Sequence, residues 1–175
     1  RAMVVRAEAE VPRAMAEAFR KGRLEAADMP DFVEGNGQQV MDPREAVRQA
    51  VAANSDYVLD ESDAPWKVTV TTGGGRKQVV EVRFGGTDDT GQEVVEYRSL
   101  CGDASEKTAM TFLKYNTRLH HGAFAVETID ETDRIIVHAE HLASTMNPVA
   151  AQRAIEAIAQ QADRVEQKLS GQDEF

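Results

Sequence analysis

A chain of 175 residues with 42% hydrophobic side chains is long enough to bury one core, which excludes wholesale disorder. Thirty acidic against twenty basic residues give a formal net charge of −10 and a pI near 4.9, a balance that argues against nucleic acid or an anionic membrane surface as partner. The single cysteine, Cys101, excludes a disulfide framework and a thiolate zinc cluster.

In chain order, residues 1–40 read as an N-terminal extension. Val11-Pro12 followed by Ala14, Met15, Ala18 and Phe19 has the pattern of one short helix stopped near Gly22, and Met29-Pro30 and Gly35-Asn36-Gly37 are breakers. Met3-Val4-Val5 is interrupted at once by Arg6 and Glu8, unlike a signal peptide. No apolar run approaches the ~20 residues of a membrane-spanning helix, so no membrane partner is expected and the cytoplasm is the default location.

The expected domain covers 41–171, with 172–175 as a tail. Asp42 is placed to cap a first helix and Pro43 to occupy its first position, with Glu45 completing a box-like cap; Ala46, Val47, Ala50 and Val51 form its apolar face. Three strands follow. Trp66, Val68 and Val70 alternate with polar residues in 66–72, Val80, Val82 and Phe84 share one side of 78–84, and 93–100 is the third. Gly73-Gly74-Gly75 and the 85–91 segment are connections too short for a parallel crossover, so the strands are antiparallel.

Asp103 and Glu106 are placed to cap a second helix, lined on one side by Ala109, Met110, Phe112, Leu113 and Leu119. Strands 123–129 and 134–142 are joined by the acidic turn from Asp130 to Asp133. The strongest signal comes last. Asn147-Pro148 repeats the cap-plus-proline start, and Ala151, Ile155, Ile158, Ala162, Val165 and Leu169 recur at spacings of four and three up to Gly171. A helix over 147–169 spans ~33 Å, enough to cross a small sheet. The expected order is α-βββ-α-ββ-α: an α+β domain whose five-stranded antiparallel sheet carries helices on one face.

This order resembles the type III secretion chaperone-like fold, which includes effector chaperones and YbjN-like proteins. The local match runs from Phe112-Leu113-Lys114-Tyr115-Asn116-Thr117-Arg118-Leu119 through Gly122-Ala123-Phe124-Ala125-Val126 and Arg134-Ile135-Ile136-Val137 to the Asn147-Pro148 helix, covering about residues 42–171. The resemblance implies a small acidic protein that is not an enzyme, often a homodimer, and that holds a segment of another polypeptide. Residues 1–40 are an addition to that pattern. A YbjN-like regulatory or structural homodimer without a client is the alternative.

Adjacent apolar pairs, Val79-Val80, Val94-Val95 and Ile135-Ile136, put apolar side chains on both faces of the sheet. A second face of that kind suits another subunit, a client peptide or the N-terminal extension, although isolated surface valines are also common in strands. Val68, Val80, Phe124, Val126 and Ile136 are the candidate protein-binding residues, belonging either to that surface or to the core beneath it.

Chemistry-bearing residues offer less. His138 and His141, three apart in a strand, point to opposite faces and are not a helical HExxH pair; His120 and His121 stand at the start of the neighbouring strand. Neither a metal nor another cofactor is expected. Cys101 reads as a buried structural thiol, the alternative being a nucleophile near the start of the second helix in an uncharacterised hydrolase. Gly73-Gly74-Gly75-Arg76 joins two strands, unlike a phosphate loop, and the acidic turns lack calcium-loop spacing.

Overall fold

The computed structural model describes residues 41–170. The expected N-terminal extension with its short helix, the Gly171 stop and the tail lie outside the described residues. Helix α1 spans Pro43–Ala52 and starts as its sequence dictates, with Asp42 accepting a hydrogen bond from the Arg44 amide at 2.8 Å and Pro43 in the first turn. Glu45 takes no part in the cap. Its carboxylate accepts from Gln49 one turn on, at 2.9 Å.

Six strands follow where five were expected: β1 Tyr57–Asp60, β2 Trp66–Thr71, β3 Lys77–Thr87, β4 Glu93–Asp103, β5 Ala123–Ile129 and β6 Thr132–Leu142. They form one antiparallel sheet in the order β1-β2-β3-β4-β6-β5. The additional strand is β1. At four residues it is too short to show a period by itself, and it is defined by pairing with β2, Tyr57 opposite Val70 and Leu59 opposite Val68. The element order is thus α-ββββ-α-ββ-α, still an α+β domain.

Between β4 and β5 lies helix α2, Glu106–Tyr115. Its cap differs from expectation. Ser105 and Thr108 make the reciprocal box, while Asp103 ends β4 and pairs with Arg134 of β6. Helix α3, Pro148–Ser170, begins with Asn147 accepting from the Ala150 amide at 3.0 Å. Its inward stripe includes Ala151, Ile155, Ile158, Ala162 and Val165, each at most 5% exposed.

That stripe packs on the sheet face carrying Val68 and Val70 of β2, Val80 and Val82 of β3, Val95 and Tyr97 of β4, and Ile135 and Val137 of β6. The register puts these on one side: Val68 opposite Val80, Val82 opposite Tyr97, Tyr97 opposite Ala139. α1 packs beside α3 at the β1 side, and α2 lies over β5. Of each adjacent apolar pair, Val80, Val95 and Ile135 face the helices, leaving Val79, Val94 and Ile136 for the opposite face.

Candidate functional site

Helix α2 carries two apolar stripes rather than one. Ala109 and Phe112 lie three residues apart and turn toward β5, where Phe112 (4% exposed) packs on Phe124 with ring centroids 4.8 Å apart. Met110 and Leu113, also three apart, form the second stripe about 100° round the helix and are 54% and 58% exposed. The sequence pattern put all of these on one side. Phe112 is the one buried side chain of the helix.

The Asn116 side chain follows α2 directly and binds the outer edge of β5. Its Nδ2 donates to the Phe124 carbonyl at 3.0 Å, and the Phe124 N–H donates to its Oδ1 at 2.8 Å. An amide thereby takes the place of a neighbouring strand at one position. Because outward backbone groups recur every second residue, Val126 and Thr128 carry the next outward-pointing N–H and C=O groups of this edge. Val126 is 47% exposed on the helix side of the sheet.

Behind α2 a groove of about 420 Å³ runs between α2 and α3. Phe124, Leu119 and Val165 contribute its apolar lining, and Arg118, Arg164 and Lys168 its cations; no carboxylate lines it among the described residues. Gln161 of α3 reaches into the same place. Its Nε2 donates to the His121 carbonyl at 2.8 Å, while its buried Oε1 accepts from no group.

Of the five residues singled out from sequence, Val68 and Val80 are fully buried and Phe124 is 4% exposed, so these three are core under the helices. Ile136 is 6% exposed on the opposite face, in a row with Leu100 and Ala125. Val126 alone is presented outward, at the flank just described. Arg118, Arg164, Gln161 and the Met110–Leu113 stripe were not singled out. The doubled i, i+3 spacing in α2 was the available signal for the last of these.

The histidines separate as expected. His141 lies opposite Val95 on the helix side, and His138 lies opposite Arg98 on the other side. His120, His121 and His141 share a second hollow of about 410 Å³ against α3, where Ala154 and Ala157 leave space. Burial, and then the neighbouring His121, hold the His141 imidazole below its usual pKa, favouring the neutral ring. Among the described residues no cluster of three or more His, Cys, Asp or Glu is arranged to hold a metal.

Cys101 is 1% exposed, and burial, reinforced by Glu166, pushes its thiol up to about 12, so it remains protonated and a poor nucleophile at neutral pH. A third, polar hollow of about 580 Å³ lies at the β1 side, lined by Asp56, Thr72, Arg76, Glu156 and Asp163 among others. Arg76 closes on Asp163 with two parallel hydrogen bonds of 2.7 and 2.8 Å. That arrangement holds the Asp163 carboxyl below the usual carboxylate range.

No described helix is long and apolar enough to cross a membrane. No protein-family model matches the chain, and no curated protein is similar to it.

Proposed function

We propose that this protein is a non-enzymatic, chaperone-like binding module that holds a segment of another polypeptide at the flank formed by α2 and β5. The observation that carries the reading is the uncovered apolar surface there, Met110 and Leu113 on α2 and Val126 on β5. Exposed side chains of this kind, grouped at one flank, are the usual mark of a protein-binding surface. An edge strand with outward backbone groups adds a second mode of recognition, strand addition.

The second reading is a homodimer without a client, of the YbjN-like kind. The same Met110–Leu113 stripe favours it, since an isologous contact uses one patch on both copies. Light scattering on the purified protein, followed by affinity capture from native lysate, separates the two. A client-binding module yields a captured polypeptide that is lost in Met110→Asp/Leu113→Asp; a clientless homodimer yields a dimer that becomes monomeric in that variant. Both residues are exposed, so the double variant should change stability by about 1 kcal/mol or less. A strict monomer that captures nothing sinks both readings.

A further inference from the structure

The groove behind α2 has a character that the rest of the surface does not prepare for. The chain has 30 acidic and 20 basic residues, yet among the described residues this groove is lined by Arg118, Arg164 and Lys168 and by no carboxylate. The polar hollow at the β1 side, which Arg164 also borders, has Asp56, Glu156 and Asp163 in its wall, so Arg118 is the arginine that belongs to the groove alone. Arg118 and Arg164 form no ion pair among the described residues. An unpaired cation beside an apolar surface favours a ligand that brings its own negative charge.

The groove floor sets the rest of the ligand. Phe124, Leu119 and Val165 supply apolar contact, and the volume of about 420 Å³ falls in the ~300–1,000 Å³ range of pockets that enclose a ligand. Gln161 adds a requirement of its own. With Nε2 committed to the His121 carbonyl, the buried Oε1 needs an N–H donor. A fatty acid offers a carboxylate and an apolar chain but no such donor. A peptide offers all three: carboxylates from Asp or Glu, apolar side chains, and backbone N–H groups.

We infer that the α2–α3 groove receives an acidic, apolar-rich segment of another polypeptide, with its carboxylates at Arg118 and Arg164 and a backbone N–H donated to Gln161 Oε1. This rests on the protein-binding reading and names the chemistry of the segment. It also moves the selective contact from the outer α2 stripe to the inner side of the helix, where charge rather than area decides which segment is held.

The test uses fluorescein-labelled synthetic peptides of leucine, phenylalanine and glutamate, with counterparts in which glutamine or lysine replaces glutamate. Anisotropy titrations are run on the whole protein and on Arg118→Glu/Arg164→Glu. Both arginines are exposed, and matching thermal midpoints show that the variant folds. The expected order of affinity is glutamate, then glutamine, then lysine, with the first weakened about tenfold or more by charge reversal and by added salt. Equal affinity for the glutamate and lysine peptides overturns the inference, as does failure of all three to bind.

Two further outcomes locate a failure. Binding of the glutamate peptide that survives charge reversal but disappears in Met110→Asp/Leu113→Asp overturns the groove assignment and leaves the protein-binding reading standing. Binding of dodecanoate in the groove without binding of the peptide assigns it to an anionic amphiphile and overturns the inference.

Discussion

The two flanks of the sheet treat their apolar side chains in opposite ways. At the β1 side, arginines on α1 cover the aromatic rings: Arg48 lies 4.9 Å from the Trp66 ring centroid and Arg44 lies 4.7 Å from that of Phe84. Arg48 is held in turn by Glu61 at 2.9 Å, and Arg76 ties the β2–β3 connection to Asp163 of α3. At the β5 side, α2 buries Phe112 and leaves Met110 and Leu113 outside. One flank folds charged side chains over its aromatic rings, with Val58 of β1 left exposed; the other presents Met110, Leu113 and Val126 together. Charged cover and uncovered apolar surface therefore lie at different ends of the same sheet, an arrangement that suits the proposed use of the β5 side as a receptive edge on a rigid scaffold.

The largest effect that breaks the comparison is expected at Gly122, which sets the entry into β5. Its φ is +72°, and a Cβ there would stand 2.6 Å from the His138 carbonyl oxygen and 3.1 Å from Ile158 of α3. Backbone cannot yield as a flexible side chain can, so Gly122→Ala should cost about 3 kcal/mol or more in urea unfolding. A loss below about 1 kcal/mol would show that the β5 side is loosely held.

Asn116→Ala comes next. It removes two hydrogen bonds to the Phe124 backbone and should cost about 2 kcal/mol. Amide hydrogen exchange at Phe124 should accelerate, while the β1 side is unaffected.

The smallest effect is expected at the β1 side and depends on pH. The Asp163 carboxyl is lowered chiefly by its hydrogen bonds from Arg76. A carboxyl with a lowered folded value stabilises the protein fully above its unfolded value, about 3.8, and loses that contribution as the pH falls through the lower folded value. Asp163→Asn should thus lie below the native protein in urea midpoint at pH 7, and the gap should close in increasingly acid solution. A gap that is constant with pH would remove the ion pair from the account of this flank.

Several features were legible in the residues themselves. Asp42-Pro43 and Asn147-Pro148 mark two helix starts because a short polar side chain and a ring without an N–H suit the first turn wherever it occurs. The spacing from Ala151 to Leu169 marks α3, and alternation marks β2 and β3, because a regular backbone repeats its buried side with its own period. His138 and His141 separate for the same reason. The second helix start was misread because Asp103-x-x-Glu106 and Ser105-x-x-Thr108 both fit a cap in one dimension. Pairing of Asp103 with Arg134 extends β4 and leaves the role to Ser105.

The candidate site was less legible. Periodicity identifies apolar stripes but not what covers them, so α2 showed its apolar residues without showing that Phe112 is the one it buries. The cationic groove joins Arg118, in the turn after α2, to Arg164 of α3, a pairing that exists only once both helices lie on the same face.

By itself, then, the sequence determined the local conformation: where helices begin, which stretches extend, and that two apolar residues in a row must face opposite sides of a sheet. Only the tertiary structure decided that β1 joins β2, that β6 lies between β4 and β5, that Val68, Val80 and Phe124 are core and that Val126 and the Met110–Leu113 stripe are presented outward. The reason is physical. Dihedral preference and capping act between neighbours in the chain, whereas burial is a property of what the rest of the molecule places on top.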